Sequence, residues 1–107
     1  MIFHITSRDV WAAARAQGSY RADSLSTEGF IHCSGDHQVL WVANQRFRGR
    51  QDLVLLHIDP ARLAAEVRYE NLEGGQQMFP HVYGPIPIDA VVDVRPLTPR
   101  PDGGFGE

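Results

Sequence analysis

Lysine is missing altogether: all ten cationic side chains among the 107 residues are arginine. That excludes a Schiff base on a lysine amine, a lysine general base and the lysine of a phosphate-binding loop. Cysteine is nearly missing too. The lone Cys33 has no partner for an internal disulfide, whereas small secreted domains usually carry several, so a reducing compartment is expected. No long apolar run exists either. The best stretch, Leu53 to Ile58, is interrupted by His57 and falls far short of the roughly 20 residues a membrane span needs. The first residues reach Arg8 and Asp9 at once, without the basic start and apolar run of a signal peptide, so the expected location is the cytoplasm with no membrane partner. Positive charge is in short supply, 10 basic against 13 acidic residues, which argues against a broad nucleic-acid-binding face. The length leaves room for one core and excludes separate cofactor and substrate lobes.

What the chain does have is five histidines, the side chains best suited to proton transfer, ligand binding and metal ligation near neutral pH. Their surroundings follow from the pattern of elements. Ile2 to Thr6 alternates as a short strand, with His4 and Thr6 on the same face. Thr6-Ser7-Arg8-Asp9 starts a helix over residues 8–17 that Gly18 stops. Ser19 to Gly29 is a loop in which Ala22 to Leu25 can form a turn. Phe30 to Ser34 is a second strand that puts His32 and Ser34 on one face and Cys33 on the other. Gly35-Asp36 opens a second helix ending near Gly49, and Leu53 to Ile58, apolar on both faces, is a central strand. A helical turn over Pro60 to Ala65, a strand over Glu66 to Asn71 and a turn at Gly74-Gly75 follow. The proline-punctuated Met78 to Pro87 reads as an ordered loop or an edge rather than a central strand. A last strand runs from Ile88 to Arg95, and the proline- and glycine-rich residues 98–107 form a mobile tail behind a single domain of residues 1–97. The fold class expected is α+β, a compact single domain with two small, mainly antiparallel sheets packed with two to three helices.

Three groups of residues could carry chemistry. His4 with Thr6 and His32 with Ser34 repeat one pattern, a polar pair on one face of a short strand, and would line a single cleft if the strands were neighbours. The segment Phe79 to Pro85 holds His81 between aromatics and prolines, a rigid setting for an acid, a base or a phosphate partner. Glu70, beside Tyr69 on the strand expected over Glu66 to Asn71, is the glutamate best placed for a raised pKa, with a salt bridge to Arg68 or Arg21 as the structural alternative. His57 reads as a satisfied core histidine and His37 as a surface residue. Two other classes stay open: a non-catalytic module that docks a protein through an exposed Phe79–Tyr83 loop, and a three-histidine metal enzyme built on His4, His32 and His81.

The blocks Ile2-Phe3-His4-Ile5-Thr6, Gly29-Phe30-Ile31-His32-Cys33-Ser34 and Phe79-Pro80-His81-Val82-Tyr83-Gly84-Pro85-Ile86 together resemble the DUF952 family of small bacterial proteins, over nearly the whole chain from Ile2 to about Pro96. The resemblance implies an ADP-ribosyltransferase-like fold, a two-sheet α+β core that holds NAD in a cleft. In that frame His4 would bond a ribose, His32 would form the other polar wall, and Tyr20 or Tyr83 would stack on the nicotinamide. Glu70 would supply the negative charge that an oxocarbenium-like state requires. The expected ligand is therefore NAD or a related ribonucleotide, bound by a monomer or small homo-oligomer.

Overall fold

The computed structural model describes residues 1–71 and 75–106. The first strand, β1 (Ile2–Ser7), runs into α1 (Arg8–Gln17), whose N-cap Ser7 hydroxyl accepts from the Val10 N–H and whose C-cap is Gly18. Next come β2 (Ser19–Tyr20), α2 (Asp23–Thr27) and β3 (Ile31–His32). A 3-10 turn over Asp36–Gln38 leads into α3 (Val39–Arg46), and then β4 (Leu53–Ile58). After a turn at Pro60–Arg62 the chain forms β5 (Val67–Glu70), β6 (Phe79–Val82), β7 (Ile86–Pro87), a turn at Ile88–Ala90 and β8 (Val91–Leu97). The turn expected at Gly74-Gly75 lies partly outside the described residues.

The strands make two antiparallel three-stranded sheets, β1-β4-β8 and β3-β6-β5, and a two-stranded ribbon, β2-β7. The ribbon was not foreseen. β4 is central, as its apolar faces predict. The two large sheets are stitched by one antiparallel bridge, in which the Phe3 and Ser34 backbones exchange N–H···O bonds of 2.8 and 2.7 Å. The blocks carrying His4 and His32 are therefore neighbours. Ile31, Leu56, Ile58, Val82 and Ile86, all fully buried, fill the space between sheets and helices; truncating one such side chain to alanine typically costs about 2–5 kcal/mol.

Two expectations are corrected. β6, the proline-rich segment read as a loop or edge, is the central strand of its sheet, flanked by β3 and β5. Pro80 is tolerated because it stands where β3 ends: its carbonyl accepts from the Cys33 N–H at 3.0 Å, and the return bond its ring forbids falls beyond the last paired residue of that strand. Just after β6, a Cβ on Gly84 would come 2.7 Å from the Ala65 methyl, so the chain can pass only as glycine.

The C-terminal residues, expected to be mobile, fold back. Arg100 N–H bonds to the Gly104 carbonyl at 2.7 Å around Gly103, whose φ of 87° few other residues adopt. This turn delivers Phe105, 2% exposed, against Ile5, Ala43 and Leu53. Asn44 clamps its backbone with two bonds of 2.9 and 2.8 Å. One aromatic residue and one amide clamp outweigh the loose composition.

Candidate functional site

A cavity of about 450 Å³ opens between α3, the start of β6 and the bridge that joins the two sheets. Its polar end is built by strand register. His32 stands directly opposite His81 in the β3–β6 ladder, their rings edge to face at 5.4 Å. Arg68 of β5 is opposite His81, so Glu70 lies diagonally within reach of it. His81 Nδ1 and Glu70 Oε1 are 3.0 Å apart, and the Tyr83 hydroxyl donates to the same Oε1 at 2.5 Å. A carboxylate only accepts, so the His81 proton sits on Nδ1. Its Nε2 has no hydrogen-bond partner among the described residues. Phe30 stacks on the His81 ring at 4.4 Å, and the Arg68 guanidinium lies 4.6 Å over the Tyr83 ring.

These contacts reverse one expectation. Instead of a raised pKa, Glu70 has a lowered one, because the Tyr83 hydroxyl first and His81 second hydrogen-bond its charged form. The same bond raises the Tyr83 pKa. Arg68 spends its guanidinium on Glu66, in two bonds of 2.9 and 3.0 Å, rather than forming the salt bridge to Glu70 that stood as one alternative.

His4 has a different role from the one the resemblance implies. Its Nδ1–H donates to the His32 carbonyl at 2.5 Å, which leaves Nε2 to accept from the Tyr20 hydroxyl at 2.7 Å. Both ring nitrogens are spent inside the protein. Burial lowers its pKa to about 4, so the ring is neutral at pH 7, and burial pushes Tyr20 up to about 12 against the opposing hydrogen bond from Thr6. Thr6, Tyr20 and His4 thus form a buried relay that fixes the backbone of His32. Tyr20 and Tyr83 do not border the cavity: one holds His4 and the other holds Glu70. The aromatic wall comes from Trp41 and Phe47 after the bridge and from Phe79, with Trp41 and Phe79 6.2 Å apart. Trp41 could have been suspected from its place on the polar side of an otherwise apolar-patterned helix.

Ser34 borders the cavity, and its hydroxyl has no partner among the described residues. Buried Gln38 ties the far rim down, donating to the Met78 carbonyl and Gln77 Oε1 at 2.9 and 3.0 Å while accepting from the Gly35 N–H at 2.8 Å. Cys33 is buried, and burial pushes its thiol pKa up, so it is a poor nucleophile.

The other two classes fare worse. With both His4 nitrogens engaged, the three histidines do not share a centre, and among the described residues no group of three His, Cys, Asp or Glu side chains could hold a metal ion. Pro80, His81 and Val82 are buried in a central strand, so no exposed loop from Phe79 to Tyr83 exists to dock a partner. His57 is less satisfied than expected: its Nε2 is buried without a partner among the described residues, beside the edge of Phe3. His37 is exposed, as expected.

Residues 5–94 match the profile of the family described as Protein of unknown function (DUF952). The chain belongs to the DUF952 family. The crystal structure of protein CC0527 from Caulobacter crescentus superposes with a TM-score of 0.87 at 35% identity, covering 98% of this chain and 92% of that one. Its solution NMR structure gives 0.84 at 36% identity, covering 96% and 89%. Comparison with the curated proteins gave no match. The DUF952 match takes in β1 only from Ile5 onward, together with the His32 block, Glu70 and His81, so these residues of the cavity's polar end lie within it. Among the described residues no helix is long and apolar enough to cross a membrane.

Proposed function

We propose that the cavity binds NAD or a closely related ribonucleotide and promotes rupture of its nicotinamide–ribose bond. The observation that carries this is Glu70. Both donors, Tyr83 and His81, bond to Oε1, which keeps the carboxylate ionised and fixed while Oε2 has no hydrogen-bond partner among the described residues. A preorganised negative charge of this kind stabilises positive charge developing at a ribosyl carbon, and needs no reorganisation when the bond breaks. The cavity volume falls in the range of small-molecule sites. Trp41 and Phe79 offer flat faces for a planar ring, and Ser34 and Glu70 offer partners for ribose hydroxyls. Arg46 borders the cavity and is the cation nearest in role to the absent lysine for a diphosphate. The ADP-ribosyltransferase-like fold implied by the family resemblance agrees with this as an analogy of fold.

Titration with NAD and with ADP-ribose, followed by histidine NMR signals, tests the reading. The His81 and His32 signals are expected to move, and His4 much less, since its nitrogens are engaged elsewhere. Unmoved His81 and His32 signals at millimolar ligand would sink it.

A further inference from the structure

We propose, resting on the nucleotide reading above, that His32 is the base that activates the acceptor of the ribosyl group, with Glu28 as its positioning residue. The site then holds two histidine–carboxylate pairs with divided work. His32 Nε2 lies 2.9 Å from Glu28 Oε2, an acceptor, so the proton is on Nε2 and Nδ1 carries the lone pair. In His81 the arrangement is reversed, with Nδ1–H bonded to Glu70. The two rings therefore present opposite nitrogens that have no hydrogen-bond partner among the described residues, and both residues border the same cavity.

Depth separates the pairs. The His81 and Glu70 side chains are 5% and 24% exposed, whereas those of His32 and Glu28 are 41% and 49% exposed. The inner pair meets the bound ribosyl group, and the outer pair meets whatever arrives from solvent. The fold holds the outer pair deliberately: the Glu28 and Gly29 N–H groups both bond to the Ser24 carbonyl, and the Ser24 hydroxyl bonds to the Phe30 carbonyl at 2.7 Å. That closed turn is what brings Glu28 back over His32. From below, His4 fixes the His32 carbonyl.

The chemistry of the step shows why such a base is needed. When the C1′–N bond breaks, its electron pair passes to the pyridinium nitrogen and nicotinamide leaves neutral, so the leaving group requires no acid. The acceptor does need to lose a proton. With water, its oxygen bonds to C1′, one proton passes to His32 Nδ1, and the Glu28 carboxylate stabilises the imidazolium through Nε2–H. The products are nicotinamide and ADP-ribose, and His32 returns its proton to solvent.

The test is nicotinamide release from NAD by the wild type, His32→Gln, Glu28→Gln and Glu70→Gln, each confirmed folded by circular dichroism, with and without sodium azide. Loss of a general base typically costs about 10²–10⁴-fold. His32→Gln should fall in that range and Glu28→Gln by about tenfold, a partial loss through misorientation. Azide needs no deprotonation, so it should restore His32→Gln to within about tenfold of the wild type while leaving Glu70→Gln inactive; a merely structural role for His32 would not show this rescue. A His32→Gln protein as active as the wild type, or one that azide does not restore, overturns the assignment of the base while the loss in Glu70→Gln still supports the nucleotide reading. A wild type that releases no nicotinamide overturns both.

Discussion

His4 should make the stability of this protein fall as pH drops through the range where histidine normally titrates. In the unfolded chain the imidazole protonates near 6.5, whereas in the native state burial holds its pKa at about 4. Between those two values the unfolded state binds a proton that the folded state refuses. The stabilisation is therefore fully present above 6.5 and is lost progressively as pH falls towards 4. Each pH unit in that window is worth about 1.4 kcal/mol, so the span from 6.5 down to about 4 amounts to at most about 3–4 kcal/mol. For a domain whose total stability is about 5–15 kcal/mol, that loss is large. The perturbation is His4→Gln, which removes the titrating ring and loses the bond to Tyr20. At pH 7.5 it should cost about 1–3 kcal/mol, the usual penalty for stripping a buried hydrogen-bond partner. Urea unfolding of both proteins at half-unit steps from pH 7.5 to 4.5 provides the assay. The wild-type curve should approach that of His4→Gln as pH falls, and comparing the two removes the contribution of carboxylates they share. Parallel curves, or a native His4 ring that titrates near 6.5 by NMR, would refute the reasoning.

Other substitutions probe the cavity and its supports. Tyr83→Phe removes the stronger of the two donors to Glu70, so the Glu70 carboxyl should titrate at higher pH than in the wild type, read by carbon NMR of the side chain, and NAD cleavage should weaken most on the acid side. Trp41→Ala removes a half-exposed aromatic wall; NAD affinity measured by calorimetry should drop about tenfold while the urea midpoint stays within error. Phe105→Ala empties a buried site behind Ile5 and α3, which should cost about 3–5 kcal/mol in urea unfolding and also weaken the ligand, since Ile5 and Phe47 of the same cluster border the cavity.

Much of the fold was legible because local signals agreed with the global structure. Ser7 and Gly18 bracket α1 as a cap and a stop, and the two-sided apolar pattern of Leu53 to Ile58 marked β4 as central. β6 was misread because Pro80 and Pro85 argue against a central strand, and nothing local says that β3 ends just where Pro80 would break the ladder. The tail was misread because its composition hides the single residue, Phe105, that has a site to fill. At the candidate site, the histidine and glutamate identities could be picked out, since such residue types concentrate in few short blocks. Their partners could not: Glu70 receives Tyr83 and His81, and His4 turns inward to Tyr20, through contacts between separate elements that only strand pairing and packing bring together. Glu28 went unnoticed altogether. It lies in a polar stretch that reads as a loop, and only the closed turn at Ser24 to Phe30 gives it a partner.

The most direct test of the central claim is a crystal structure of the protein with an uncleavable NAD analogue in which a methylene replaces the ring oxygen of the nicotinamide ribose. The nicotinamide ring should lie against Trp41 and Phe79, with a ribose hydroxyl within hydrogen-bond distance of Glu70 Oε2 and C1′ open towards His32. An analogue bound elsewhere, or a cavity that stays empty at saturating concentration, would contradict the account.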